Sequence, residues 1–175
     1  MEIGGNDRAD EIAKEATDLE PTTETITLAK LHRQIRENLK IEWTGEWATK
    51  PITGRYAIAD RIPPSLTGSH AFRTLDRHTL GTVTQARTGH GYFGEYYRVQ
   101  NINEPTDCPC GAELQTREHI LFECEIHEEL WHVIDEGAPD HKLATLLGTK
   151  TGIDALAKFV KGTKAFQKPK ARDTL

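Results

Sequence analysis

All three cysteines of this 175-residue chain lie within one window of 17 positions, together with a histidine. Cys108 and Cys110 flank a proline, His119 follows, and Cys124 ends the window. Three thiols cannot all pair, and Cys108 and Cys110 are too close in sequence for an unstrained disulfide. Zinc binds tetrahedral sets of three thiolates and one imidazole. The window therefore predicts a zinc site in a protein of a reducing compartment.

Two other interpretations of this window stay open on spacing alone. Free cysteines are often small buried hydrophobic residues, and one residue between the first pair departs from the common Cys-x2-Cys pattern. His119 and Cys124 are five residues apart, so a regular α-helix would point them about 140° apart. His127, three residues after Cys124, is an alternative fourth ligand on the more favourable helix face.

Apolar residues elsewhere in the chain recur at intervals of three and four, which predicts a mainly α fold. The connector over 48–69 is rich in proline and glycine and is expected to be irregular. Asp76 and Thr116 are predicted N-caps. The predicted helices cover residues 7–19, 25–42, 74–88, 116–136 and 152–162.

The net charge of −5 conceals a segregated pattern. Residues 101–140, which hold the cysteines, carry eleven acidic side chains and one basic one, whereas 26–100 carry eleven basic and six acidic side chains and 141–175 carry eight basic and two acidic. Phosphate is attracted by clustered lysine and arginine. We therefore expect the cysteine window to be structural, and any nucleic-acid contact to come from the two basic segments.

An aromatic run at 92–97 lies beside three basic residues, Arg87, His90 and Arg98. Aromatic rings next to cations can stack on bases, so these three residues are weak candidates for nucleic-acid contact. The competing interpretation is that the aromatic rings fill the core.

No apolar run approaches the roughly 18 residues of a membrane span. The N-terminus has neither the basic start nor the apolar stretch of a signal peptide. The sequence therefore predicts an intracellular protein, nuclear or cytoplasmic, that is neither secreted nor associated with a membrane.

Residues 3–16, Ile-Gly-Gly-Asn-Asp-Arg-Ala-Asp-Glu-Ile-Ala-Lys-Glu-Ala, resemble the end of a type 1 ribonuclease H domain. The resemblance places Asp10 at the last of that family's four metal-binding carboxylates. Two-metal catalysis needs several carboxylates around magnesium, and Asp10 is the one position matched here. The resemblance thus implies magnesium only in the complete parent enzyme and predicts no ribonuclease activity for this chain alone.

Downstream, residues 80–94, the Cys-Pro-Cys-Gly run and 116–124 (Thr-Arg-Glu-His-Ile-Leu-Phe-Glu-Cys) resemble the C-terminal region of fungal non-LTR (LINE-like) retrotransposon polyproteins. In that family the region follows reverse transcriptase and ribonuclease H. The resemblance implies a C-C-H-C zinc motif at Cys108, Cys110, His119 and Cys124. It also implies RNA or an RNA–DNA hybrid as the partner of the parent polyprotein.

These observations predict four parts: a ribonuclease H remnant at 1–20, a linker at 21–25, a helical domain with a zinc-stapled turn and helix at 26–166, and a disordered tail at 167–175. The predicted function is that of a C-terminal, catalytically incomplete, zinc-binding fragment of a retrotransposon polyprotein. One alternative is a metal-free helical protein-interaction domain with buried cysteines. Another is part of an active RNA–DNA hybrid ribonuclease whose upstream portion is missing from the gene model.

Overall fold

The computed structural model describes residues 4–19, 26–51, 53–63, 65 and 70–168. Every regular element in these ranges is helical, which confirms the mainly α prediction. The predicted linker at 21–25 and most of the predicted tail, 169–175, lie outside the described residues. The α-helices are α1 (Gly4–Thr17), α2 (Leu28–Thr49), α3 (His70–Arg73), α4 (Arg77–Thr88), α5 (Gly94–Gln100), α6 (Trp131–Gly137), α7 (Leu143–Gly148) and α8 (Lys150–Gly162).

The chain divides into two compact units, Met1–Leu39 and Lys40–Leu175. The first unit holds α1 and the beginning of α2, and its apolar side chains, such as Ile12 and Leu31, are exposed. Helix α2 extends to Thr49, beyond the predicted end at residue 42, so that both tryptophans near its end are helical. No proline interrupts the pattern before residue 51, which explains the extra turns.

Helix α8 is the centre of the second unit and packs against α4, α6 and α7. Its apolar face, predicted from spacing, is buried. Gly152 makes the close crossing with α7 possible, because a Cβ atom there would overlap the backbone carbonyls of Thr145 and Leu146. Gly137 of α6 similarly faces Ala155 of α8 with no room for a side chain. The core thus depends on glycine where helix backbones meet.

Helix α4 ends at the predicted residue 88 but begins at Arg77, directly after the predicted N-cap and three residues later than the predicted start. The Asp76 carboxylate accepts a hydrogen bond from the Thr79 N–H at 2.9 Å, which confirms the predicted N-cap. The helix ends at Gly89, whose φ of 70° lies in the left-handed region that favours glycine. Of the predicted inner face of α4, Val83 and Ala86 are fully buried and Leu80 is half-buried.

The prediction of one continuous helix over 116–136 is wrong. Its start is confirmed, because the Thr116 hydroxyl accepts a hydrogen bond from the His119 N–H at 3.0 Å. The helix is then interrupted at Cys124, whose backbone is extended. The segments that follow the start are a π-helical turn (His119–Glu123), a 3-10 helix (Glu125–Leu130) and α6.

Candidate metal centre

The first two cysteines lie in a tight loop formed by residues 106–116, called here the cysteine loop. The Cys108 N–H donates to the Ala112 carbonyl and the Gly111 N–H donates to the Cys108 carbonyl, both at 2.8 Å. Gly111 has a φ of 100°, a conformation that side chains with a Cβ atom rarely adopt. The loop therefore presents Cys108 and Cys110 from one turn.

The other two residues are brought together by the π-helical turn. The Cys124 N–H donates to the His119 carbonyl at 2.8 Å, a hydrogen bond between residues five apart. This wider turn replaces the regular helix that would have pointed the two side chains about 140° apart. The five-residue spacing of His119 and Cys124, unfavourable for a shared metal on a regular α-helix, is thus compatible with one on this π-helical turn.

The four side chains form one compact group, called here the Cys/His cluster. The sulfurs of Cys108 and Cys124 are 3.6 Å apart. The sulfur of Cys110 is 3.1 Å from His119 Nε2. All four donor atoms lie within 4.8 Å of one another, close enough to hold one metal ion. Tetrahedral zinc with bonds of about 2.3 Å to sulfur would place its sulfur ligands about 3.8 Å apart, so the group is compatible with zinc.

Two further side chains contact the metal-binding atoms of the Cys/His cluster. A Glu123 carboxylate oxygen lies 3.5 Å from His119 Nδ1, which favours the tautomer that leaves Nε2 free to bind a metal. The Gln115 amide donates to the Cys108 sulfur at 3.8 Å. A carboxylate behind the imidazole and an N–H donor to a sulfur are the usual surroundings of bound zinc.

The three thiols differ in acidity, and all three are free. Burial raises the pKa of the Cys124 thiol to about 12. Burial also raises the pKa of the Cys108 thiol. A hydrogen bond from the Ala112 backbone N–H instead lowers the pKa of the exposed Cys110 thiol to about 7. Because metals bind thiolates, metal affinity at this cluster should increase with pH.

The structure groups His119, and not His127, with the three sulfurs. The ring of His127 is half-buried and meets the ring of Phe159 edge-on, with centroids 5.5 Å apart. Burial lowers the pKa of His127, so the ring is neutral near pH 7. His127 therefore acts in core packing in this arrangement.

An ion-pair network anchors the cysteine loop to the rest of the unit. The Glu95 carboxylate accepts from the Arg117 backbone N–H at 3.2 Å and lies 3.3 Å from Arg55 Nη1. Arg117 is buried, and its guanidinium also donates a hydrogen bond to the Ala86 carbonyl, near the end of α4. The lone cation of the acidic window is thus structural. Arg117 is the one basic side chain among the eleven acidic ones of 101–140, and the sequence gives no indication of its partners.

The three candidate nucleic-acid residues are placed differently. Arg87 is buried and donates to the carbonyls of Leu147 at 2.7 Å and Ala59 at 2.8 Å, so its guanidinium is engaged inside the fold. His90 and Arg98 are exposed. No local sequence signal distinguishes the buried arginine from the exposed one, because its partners are 28 and 60 residues away.

Asp10 is an exposed residue of α1 in the first unit. Among the described residues, the Cys/His cluster is the one group of three or more acidic, cysteine or histidine side chains that could hold a metal. Within those residues, therefore, no set of metal-binding carboxylates assembles around Asp10. In the same part of the chain, no helix combines the length and the apolar character needed to cross a bilayer.

Comparison with known proteins found a distant relation to a retrotransposon protein. The chain is 30% identical over 128 residues to the retrovirus-related Pol polyprotein from type-1 retrotransposable element R1 of Popillia japonica. The match covers 69% of this chain and 46% of that protein, so the chain spans less than half of its relative. No family model and no solved structure matches the chain. The similarity supports the predicted relation to retrotransposon polyproteins.

Proposed function

We propose that this chain is a C-terminal segment of a retrotransposon reverse transcriptase and ribonuclease H polyprotein, a zinc-stapled helical domain that handles nucleic acid. The observation that carries the proposal is the assembly of Cys108, Cys110, His119 and Cys124 within 4.8 Å, in a chain homologous to a Pol polyprotein. The fungal source and the domain bounds 1–20 and 26–166 belong to the same proposal, as does a nuclear or cytoplasmic location.

Zinc is the metal that best fits this donor set. Three sulfurs and one imidazole nitrogen match its preference for soft and borderline ligands. Four protein donors fill a tetrahedral site and leave no open position for a substrate, which is typical of a structural site. When bound, zinc supplies folding free energy by joining the cysteine loop to the π-helical turn.

The lysine and arginine side chains of the two basic segments, and not the metal cluster, are the proposed phosphate-binding groups. The acidic side chains of 101–140 would repel phosphate at the cysteine loop. Arg98 and His90 are exposed and remain in the proposed contact set, whereas Arg87 would first have to leave its two carbonyl partners. The cluster therefore shapes the domain, and the phosphates of RNA or an RNA–DNA hybrid are contacted by lysine and arginine side chains of the two basic segments.

Asp10 carries no catalysis in this proposal. A single matched carboxylate cannot hold the two magnesium ions of ribonuclease H chemistry. The proposed chain is therefore catalytically incomplete as it stands, and we propose that its first helix is a remnant of the closing helix of a ribonuclease H domain.

Fluorescence anisotropy with a labelled single-stranded RNA and a matched RNA–DNA hybrid tests the proposed partner. We expect binding by the zinc-loaded protein that weakens strongly between about 50 mM and about 200 mM salt, because phosphate contacts release counterions. Absence of binding to either probe at the lower salt would contradict the nucleic-acid role. It would favour the alternative of a protein-interaction domain.

A further inference from the structure

A cavity of about 470 Å³ opens directly beside the Cys/His cluster. Cys108 and Cys124 form part of its wall, and the rings of Tyr92 and Tyr97 form another part. Residues 164–168 close a further side. This cavity, called here the inner pocket, is large enough for one planar aromatic ligand group with its substituents.

A second, more open cavity of about 630 Å³ adjoins the inner pocket. The two share Tyr92, Phe166 and Lys168 in their walls, so they are neighbours along one surface. This cavity, called here the outer groove, adds Arg77 and Gln85 to the shared residues. Each cavity therefore combines aromatic rings, amide groups and cations.

The cations along this surface are available to a ligand. Arg77, Lys164 and Lys168 are exposed. Among the described residues none of them takes part in an ion pair, whereas nearby Lys161 lies 3.2 Å from the Asp76 carboxylate. Free cations beside an aromatic-lined pocket are typical of sites that bind phosphate and base together.

Phe166, which lines both cavities, packs against the core. Phe93, directly after Tyr92, is fully buried and meets the Phe166 ring edge-on, with centroids 5.5 Å apart. Tyr92 itself is 41% exposed and lines both cavities. The Gln85 side chain lines the outer groove, and its buried amide oxygen has no hydrogen-bond partner in the described structure.

We infer that the inner pocket and outer groove together bind single-stranded nucleic acid, with one unstacked base against Tyr97 and phosphates at Lys164, Lys168 and Arg77. The inference rests on the proposed nucleic-acid role. Two adjoining cavities with the same combination of rings, amides and cations suit a polymer that alternates bases and phosphates. A duplex keeps its bases paired and stacked and cannot fill the inner pocket.

The inner pocket has both acidic and basic residues in its wall. Glu104 and Asp107 line the pocket, as do Lys164 and Lys168. Carboxylates repel phosphate but accept hydrogen bonds from exocyclic amino groups of bases. The phosphates therefore follow the lysines, and the base edge faces the carboxylates.

The decisive experiment is fluorescence anisotropy with a labelled RNA of about 12 nucleotides, its duplex, and polyphosphate as competitor. Tyr97→Leu should weaken single-strand binding at least about fivefold, whereas Tyr97→Phe, which keeps the ring, should bind like the parent protein. Lys164→Gln/Lys168→Gln should weaken binding and reduce the salt slope by about 1.4. The control Lys150→Gln/Lys158→Gln, with the same change in charge, should leave the slope nearly unchanged.

Each variant is first checked for zinc content and for its thermal transition. If Tyr97→Leu fails to fold, Tyr92→Leu at the more exposed ring replaces it. The inference is overturned if the protein binds RNA but Tyr97→Leu binds like the parent, or if duplex and polyphosphate bind as tightly as the single strand. Those results would leave the proposed function standing. Absence of any RNA binding would overturn both.

Discussion

At the scale of single residues, Cys110 is the most acidic of the three thiols, and the reason is local. It is exposed, and the Ala112 backbone N–H stabilises its thiolate, whereas Cys124 is buried and its thiol stays protonated. A pKa of about 7 makes roughly half of Cys110 thiolate near neutral pH, compared with a few per cent for an ordinary cysteine.

Alkylation of the metal-stripped protein should therefore begin at Cys110. With iodoacetamide near pH 7, peptide mass spectrometry should find Cys110 modified first and Cys124 last. Because the pKa of Cys110 is lowered, its rate should fall as pH drops below about 7 and level off above it. Zinc should slow modification of all three thiols. Equal rates at Cys110 and Cys124 would contradict this account of the cluster.

The Glu123 carboxylate behind His119 should tune metal affinity. Glu123→Gln removes the charge 3.5 Å from Nδ1, and we expect about tenfold weaker zinc binding in competition with a chelating dye. Glu125→Gln is the matched control, since Glu125 is also exposed but is not among the contacts of His119. An equal loss of zinc affinity in both variants would contradict this role of Glu123 and indicate a general effect of charge.

At the scale of elements, the crossing of α7 and α8 depends on one glycine. Gly152→Ala should destabilise the fold by about 2 kcal/mol, because its methyl group overlaps the carbonyls of Thr145 and Leu146. Gly81→Ala in α4 is the control: among the described residues, no atom outside its own stretch of helix backbone lies within 4 Å of its Cβ position. That variant should gain up to about 1 kcal/mol from helix propensity. Urea unfolding measures both, and a neutral Gly152→Ala would contradict the close crossing.

The existence of helices α4 and α8 was predictable because their buried apolar residues recur at intervals of three and four along the sequence. The interruption at Cys124 was not predictable, because spacing describes a regular helix and a single five-residue hydrogen bond leaves no periodic signal. The three cysteines were identified from composition and spacing, whereas spacing left His119 and His127 as alternatives and the family resemblance implied His119. The network of Arg117 and Glu95 was missed because its partners are distant in sequence.

At the scale of the whole molecule, acidic and basic side chains are concentrated in different segments of the chain. The acidic segment at 101–140 surrounds the cysteines, and the basic segments carry the exposed cations of the proposed nucleic-acid surface. Asp10 lies in the other unit, Met1–Leu39. The ribonuclease H resemblance can therefore be tested independently of the metal cluster and the proposed RNA site, which adjoin each other.

The purified chain should not cleave an RNA–DNA hybrid, even with magnesium, because one carboxylate cannot hold two metal ions. A gel assay with a labelled hybrid measures this, and Asp10→Asn is the control that removes any inherited activity. Cleavage by the parent protein that disappears in Asp10→Asn would contradict the prediction and favour the active-ribonuclease alternative.

Zinc content, measured by mass spectrometry of the metal in purified protein alongside thermal unfolding, tests the central claim most directly. We expect about one zinc per chain in the parent protein and in His127→Ala, but none in Cys108→Ser or Cys124→Ser. Loss of the metal should lower the unfolding temperature by several degrees or more, because structural zinc contributes folding free energy. A parent protein that is fully folded without metal, with an unfolding temperature that zinc does not change, would contradict the claim.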